Sequence, residues 1–203
     1  MRHSPAIPWP DDIRRNLAGF ARRAAATGPR RAAVAVCVLG AGGDDPRVLI
    51  AKRVARGRNA GQWALPGGKL DPGESPVEGA VRELGEEAAI SQVEVAGLLD
   101  DFVTDSGFSI TPVVALAAPG ARPRRNPAEI ASLHAIPFAA LLREGVPRWC
   151  EQPGGEPLLQ MKLRHDMVIH APTGALLYQF REVALLGRDT RVADLAQPVW
   201  TRS

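Results

Sequence analysis

Cysteine is scarce in this 203-residue chain, and its two copies, Cys37 and Cys150, stand far apart. Neither belongs to a paired ligand motif or a dense cysteine framework, so a disulfide-stapled fold is not expected and both thiols should be reduced. Long apolar runs are also missing. The longest lie around 34–39 and 113–118, far short of the roughly 18 residues that span a membrane, and their length is typical of buried strands.

Aromatic residues make up only 5% of the chain, and only 3 of its 25 basic residues are lysine. The excess of arginine accompanies many Ala, Gly and Pro residues, which indicates a genomic bias rather than a polyanion-binding surface. The aromatic residues do not interleave with the arginines, so a stacking platform for nucleic acid is not expected. The net charge of +3 therefore does not by itself predict a nucleic-acid partner.

With 45% hydrophobic and 23% charged residues, residues 1–203 are expected to form a single domain with a sizeable core. The first twelve residues contain three prolines and two aspartates where a signal peptide would have its apolar stretch. A cytoplasmic location without a membrane partner is the expectation. A homodimer remains open, because no stripe in the sequence specifies one.

Hydrophobic spacing predicts a helix from Pro10 to about Ala26, within an N-terminal arm and helix of residues 1–30. Strands are predicted over 32–39, 48–52, 93–103, 108–118 and 130–136. A short helix (137–143), a loop (145–157), a hairpin (158–170), a final helix (173–186) and a tail (187–203) follow. This order favours an α+β sandwich in which helices flank a mixed sheet.

The clearest helix start lies at Ser75, where a capping residue precedes Pro76 and a capping-box acid, Glu78, follows. Beyond it, an apolar stripe at helical spacing is expected to pack on the sheet. Its members are Val77, Ala80, Val81, Leu84 and Ala88.

Three glutamates on this helix, Glu83, Glu86 and Glu87, lie at spacings of i, i+3 and i+4, so their carboxylates should converge on a solvent-lined patch. Their mutual repulsion needs an offset, and oxygen ligands in this arrangement suit Mg²⁺ or Mn²⁺. The alternative, a solvated acidic face, does not account for the residues around them. Gly67 and Gly68 allow close backbone approach, so a carbonyl there could be a further ligand.

Glu74 and Arg82 accompany the three glutamates. Glu74 could join the metal cluster directly or through a water molecule. Arg82 stays charged at neutral pH and could hold a neighbouring carboxylate by a bidentate bond.

Residues 68–90 resemble the box of the Nudix hydrolases: G, five residues, E, seven residues, then R-E-aliphatic-x-E-E-x-G-aliphatic. The matching positions are Gly68, Glu74, Arg82, Glu83, Leu84, Glu86, Glu87 and Ile90, and the one departure is Ala89 where the pattern has glycine. That glycine serves the turn at the helix end. The resemblance implies a Nudix-type α/β/α sandwich that hydrolyses the pyrophosphate of a nucleoside diphosphate derivative.

The same resemblance implies the roles of the site residues. Glu83, Glu86 and Glu87 would bind the metal with a carbonyl of Gly67 or Gly68, and Arg82 would orient the cluster. The proton acceptor for the attacking water would come from the box or from a later loop, where Glu129 is the candidate.

Outside the box, the segments 48–53, 60–68, 105–114 and 129–138 resemble the coenzyme A diphosphatase branch of the family. This resemblance implies coenzyme A or an acyl derivative as substrate. Its extra 3′-phosphate would need cations, for which Arg53, Arg56 and Arg58 are candidates, as are Arg122, Arg124 and Arg125.

Other interpretations stay open: ADP-ribose, NADH or a nucleoside triphosphate as substrate, or a Nudix-fold module that binds a nucleotide as a regulator. An RNA-processing enzyme has only the arginine excess in its favour. The intact glutamates favour the enzyme, because a binding module has no need of three convergent carboxylates.

Overall fold

The computed structural model describes residues 10–25, 30–40, 43, 45–55, 60–152 and 155–198. The helices are α1 (Pro10–Ala18), α2 (Pro76–Ala88), α3 (Phe138–Leu142) and α4 (Thr173–Gln179), and a π-helical turn (Phe180–Leu185) continues α4. The strands are β1 (Arg30–Leu39), β2 (Arg47–Arg53), β3 (Trp63–Ala64), β4 (Gly67–Lys69), β5 (Val93–Leu98), β6 (Phe102–Val103), β7 (Phe108–Ala117), β8 (Ile130–Pro137), β9 (Arg148–Gln152), β10 (Gly155–Arg164) and β11 (Met167–Ile169).

The larger sheet is mixed. Strands β1 and β7 run parallel from the pair Arg30 and Phe108 to the pair Val38 and Leu116, and the other strand pairs of this sheet are antiparallel. Strands β1 and β2 pair at their hairpin ends, where Val38 lies opposite Val48. Farther along, β4 pairs with β1 and β3 pairs with β2. Strand β4, with Gly67 and Gly68, therefore lies where β1 and β2 have separated.

Side chains of β1 alternate between two apolar layers. Ala33, Ala35 and Cys37 pack in one layer with Leu84 and other residues of α2. The intervening valines pack in the other layer, with α1, α4, the π-helical turn and the smaller sheet formed by β9, β10 and β11. This arrangement confirms the predicted α/β/α sandwich with a mixed sheet flanked by helices.

Three predicted elements differ from the structure. The first helix ends at Ala18 rather than near Ala26, because the chain turns at Gly19 and two later amides bond to a loop instead of to the helix. There the N–H groups of Arg23 and Ala25 donate to the carboxylates of Asp100 and Asp101, at 2.6 and 2.9 Å. Residue 26 itself lies outside the described residues. This same loop interrupts the strand predicted over 93–103, which forms β5 and β6 instead.

The third difference is the loop predicted over 145–157, which contains strand β9. Strand β9 pairs antiparallel with β10, for example Trp149 with Leu159. It lies at the edge of the smaller sheet with mostly exposed side chains, so it lacks the apolar alternation by which strands are recognised in a sequence. The hairpin predicted over 158–170 is confirmed by β10 and β11. None of the helices in the described residues has the length and apolar character of a membrane span.

Candidate active site

Helix α2 begins with the predicted capping box. The Ser75 hydroxyl accepts a hydrogen bond from the Glu78 N–H at 3.3 Å, and the Glu78 carboxylate accepts one from the Ser75 N–H at 2.9 Å. Leu84 and Ala88 are fully buried against the sheet and fix the rotation of the helix. This rotation sets the direction in which Glu83, Glu86 and Glu87 project.

Arg82 lies among three carboxylates. Its Nε and Nη2 donate to the two oxygens of Glu74 at 2.8 and 3.1 Å, a bidentate pair. Its Nη1 donates to Glu83 at 3.0 Å and to Glu86 at 3.2 Å. These hydrogen bonds lower the pKa of Glu74 below its usual value and keep the guanidinium charged. Arg82 therefore holds the acidic side chains of the box together.

Glu83 packs against the backbone of β4. A methyl group at Gly68 would overlap the Glu83 carboxylate and would lie 2.7 Å from its Cδ, so the missing side chain makes room for the acid. Burial raises the pKa of Glu83, and the Arg82 hydrogen bond opposes that rise. Glu86, on the outer side of the helix, has a side chain that is 54% exposed.

The prediction that Glu87 faces solvent is wrong, because only 2% of this residue is exposed. It follows Ala80 by seven residues, almost two helical turns, so it falls on the apolar stripe that packs on the sheet. Arg53 Nη1 donates to its Oε1 at 3.1 Å, and the Gly67 N–H donates to its Oε2 at 3.2 Å. Burial raises the pKa of Glu87 to about 7, although Arg53 and the Gly67 N–H both act to lower it.

Glu129, just before β8, lies near these acids. Its charge acts to raise the pKa of both Glu83 and Glu87, and its carbonyl accepts a hydrogen bond from the Val54 N–H at 3.0 Å. Of the six arginines suggested for phosphate binding, Arg53 ends β2 and contacts Glu87. Arg56 and Arg58 lie outside the described residues.

The donor set of this cluster suits a hard divalent cation. Carboxylate oxygens of Glu87 and Glu83 adjoin the backbone of Gly67 and Gly68, and Glu86 shares Arg82 with Glu83. A cation beside the buried Glu87 would favour its ionised form. Within the described ranges, no three His, Cys, Asp or Glu side chains already form a coordination cage. Arg82 bonds to Glu83 and Glu86, so a cation held by both would compete with that arginine.

A cavity of about 460 Å³ opens beside β4. Arg53, Gly67 and Gly68 line it, but among the described residues Glu83, Glu86 and Glu87 do not, because β4 lies between them and the cavity. The sequence prediction missed its other walls. These include Trp63, Lys69, Ser106, Phe108, Thr173 and Gln197.

Phe108 is one of two aromatic side chains, with Trp63, that line this cavity among the described residues, and two cations lie near it. Arg30 Cζ is 5.6 Å and Lys69 Nζ is 5.8 Å from the centroid of its ring. Phe108 belongs to the segment 105–114, whose resemblance to the coenzyme A branch was the only sequence signal for this wall. Cations beside an aromatic face suit a ligand that has both a planar group and negative charge.

Comparison with known proteins agrees with this architecture. Residues 29–154, more than half of the chain, match the NUDIX domain family. A protein of Yersinia enterocolitica named Uncharacterized Nudix hydrolase NudL is 42% identical over 103 residues, which are 49% of this chain and 53% of that protein. A protein of the same name in Yersinia pestis is 37% identical over 136 residues, which are 65% of this chain and 65% of that protein. The chain thus matches less than two thirds of the length of these relatives.

Two solved structures share the fold. One is an Ap4A hydrolase of C. elegans in a binary complex, with a TM-score of 0.50 and 18% identity, covering 74% of this chain and 94% of that one. The other is a MutT/nudix family protein of Enterococcus faecalis, with a TM-score of 0.50 and 17% identity, covering 78% and 63%. At such identity the likeness concerns the fold alone. The sequence match over residues 29–154 shows that this chain belongs to the NUDIX domain family.

Proposed function

We propose that this protein is a hydrolase that uses Mg²⁺ or Mn²⁺ to cleave the pyrophosphate of a nucleoside diphosphate derivative. One observation carries the proposal: Arg82 gathers Glu74, Glu83 and Glu86, while Glu87 is buried beside them against β4. Keeping these acids together costs free energy through repulsion and desolvation, and a bound divalent cation would offset that cost. A module that only binds a nucleotide gains nothing from the same arrangement.

Each residue has a part in this proposal. Glu83, Glu86 and Glu87 would hold the metal, with a carbonyl of Gly67 or Gly68 as a further ligand. When bound, the metal neutralises phosphate oxygens and lowers the pKa of a bound water. Arg82 keeps the carboxylates in position, and Glu129 accepts the proton of the attacking water from the edge of β8.

The proposed substrate is coenzyme A or an acyl derivative, cleaved to a phosphopantetheine and adenosine 3′,5′-bisphosphate. The resemblance of segments 48–53, 60–68, 105–114 and 129–138 supports this choice. The cavity supports it as well, because Phe108 can stack on a base while Arg30 and Lys69 lie close enough to attract phosphate. We infer a cytoplasmic location, in keeping with the free thiols of Cys37 and Cys150, and a small molecule rather than nucleic acid as partner.

The test is a product analysis by mass spectrometry with the full chain, in Mg²⁺, in Mn²⁺ and in EDTA. The substrates are coenzyme A, acetyl-coenzyme A, ADP-ribose, NADH, diadenosine tetraphosphate and nucleoside triphosphates. Metal-dependent cleavage with coenzyme A preferred supports the whole proposal. Preference for another nucleotide keeps the hydrolase and refutes the substrate, and no metal-dependent cleavage of any of them refutes the proposed activity.

A further inference from the structure

The segment 188–198, here called the C-terminal segment, lies outside the residues that match the NUDIX domain family, yet it is firmly attached to the fold. Arg191 Nη1 donates to both oxygens of Asp100 at 3.0 and 3.1 Å, and its Cζ lies 4.3 Å from the centroid of the Phe20 ring. Val192 is fully buried in the core. The segment is therefore a fixed part of the domain over this stretch.

The end of the C-terminal segment bonds to the turn before β7. The Gln197 Oε1 accepts a hydrogen bond from the Asp105 N–H at 3.2 Å. Its Nε2 donates to the Val103 carbonyl at 3.3 Å and to the Asp105 carboxylate at 3.1 Å. One amide side chain thus bonds both to the backbone and to the side chain of this turn, and Gln197 itself lines the cavity.

The same turn presents Phe108 to the cavity. Within it, the Thr104 hydroxyl accepts a hydrogen bond from the Phe108 N–H at 2.9 Å and lies 3.0 Å from the Ser106 hydroxyl. The Gly107 N–H donates to the Thr104 carbonyl at 2.8 Å. A shift of Asp105 would therefore move Ser106 and Phe108 with it.

We infer that Gln197 is a positioning residue that determines substrate affinity by holding the 104–108 turn against the cavity. This inference rests on the proposed function and deepens it. Under the proposed function the pyrophosphate binds at the end of the cavity lined by Gly67 and Gly68, whose backbone contacts the Glu87 and Glu83 carboxylates. The planar end of the nucleotide then extends toward Phe108. The inferred substrate is therefore a nucleotide whose base stacks on the Phe108 ring, and Gln197 fixes the position of that ring.

Point variants test this inference better than truncation, because removing the C-terminal segment would take Val192 out of the core and leave the buried Asp100 without Arg191. Gln197→Ala removes all three hydrogen bonds of the amide. Gln197→Glu keeps the size but loses both donors and places a negative charge beside Asp105. Gln152→Ala is the matched control, because this half-buried glutamine also donates through Nε2, to the Glu156 carbonyl at 3.0 Å, in the smaller sheet.

Two readouts separate positioning from stability. For the best substrate of the wild type, both Gln197 variants are expected to raise KM about 3–10-fold with kcat within about 2-fold, while Gln152→Ala leaves both unchanged. The Kd for ADP, measured by calorimetry, should rise by a similar factor. Melting temperatures within about 2 °C of the wild type would show that the fold is intact.

A merely structural glutamine would lower the melting temperature and leave KM and the Kd for ADP unchanged, which overturns the inference. Calorimetry also separates it from the proposed activity. If the wild type hydrolyses nothing but binds ADP, and the Gln197 variants weaken that binding, the activity fails and the positioning role stands. Absence of ADP binding by the wild type overturns the role as well.

Discussion

Replacing Ala89 with glycine tests how helix α2 ends. Ala89 has φ of 56° and ψ of 36°, the left-handed conformation, where the family box has a glycine. Its N–H donates to the Gly85 carbonyl at 3.0 Å, and the next amide, of Ile90, donates to the Leu84 carbonyl at 3.4 Å. These bonds close the last turn of the helix, so the backbone keeps this conformation although alanine disfavours it.

The magnitude follows from two opposing effects. A residue with a Cβ pays about 1–2 kcal/mol in the left-handed region, and glycine avoids that cost. Glycine also gives the unfolded chain more freedom, which costs about 0.5–1 kcal/mol. Ala89 is exposed, so little burial is lost. Ala89→Gly should therefore stabilise the protein by about 0.5–1 kcal/mol, a rise of about 1–4 °C in melting temperature for a domain of this size.

Urea denaturation followed by circular dichroism measures this difference. Ala131→Gly is the control, because Ala131 is also exposed but lies in β8 with ordinary extended backbone. There the same exchange should cost about 0.5–1 kcal/mol. The two variants are thus expected to change stability in opposite directions. If Ala89→Gly is destabilised as much as Ala131→Gly, the left-handed conformation of Ala89 is wrong.

Further predictions concern the box. Glu86→Gln should lower kcat/KM at least about 100-fold. For the wild type, Mg²⁺ at 100 times its Kd should raise the melting temperature by about 5–10 °C, and Glu86→Gln should abolish this rise. Glu94→Gln, remote on β5, is the control and should change neither quantity. A fully active Glu86→Gln refutes the metal site. Arg53→Met should lower the free energy of unfolding, measured by urea denaturation, by about 2 kcal/mol, because Glu87 stays buried without the Arg53 guanidinium. Adding Glu87→Gln should restore part of that loss. An unchanged stability of Arg53→Met refutes the pairing. Gly68→Ala should fold but lose most activity, because the new methyl group displaces the flexible Glu83 carboxylate; full activity with a folded protein refutes this contact.

The sequence could predict elements whose signal is local. The capping box of Ser75 and Glu78 and the apolar stripe after it both lie within one helix, and α2 begins where they indicate. Strands β1, β2, β7 and β8 end within two residues of their predicted bounds, because their apolar runs are buried in the sheet. The burial of Glu87 was also within reach, since its position two turns after Ala80 is a local property.

Features formed by distant parts of the chain could not be predicted in this way. The contact between Gln197 and Asp105 joins residues 92 positions apart, and neither side chain has a local pattern that announces it. The early end of α1 has the same origin, because Asp100 and Asp101 take the amides of residues 23 and 25. The cavity walls therefore emerged only with the folded chain.

Strand β4 lies between the acidic cluster and the cavity. The two glycines of β4 present little more than backbone to either side: Gly68 leaves room for Glu83, and Gly67 donates its N–H to Glu87. At Gly67 a Cβ would lie 2.6 Å from Val34 Cα, so this strand cannot carry a side chain there without displacing β1. Arg53 also reaches both sides, bonding to Glu87 and lining the cavity. The acidic cluster and the cavity are thus separated by the backbone of β4 rather than by side chains of that strand.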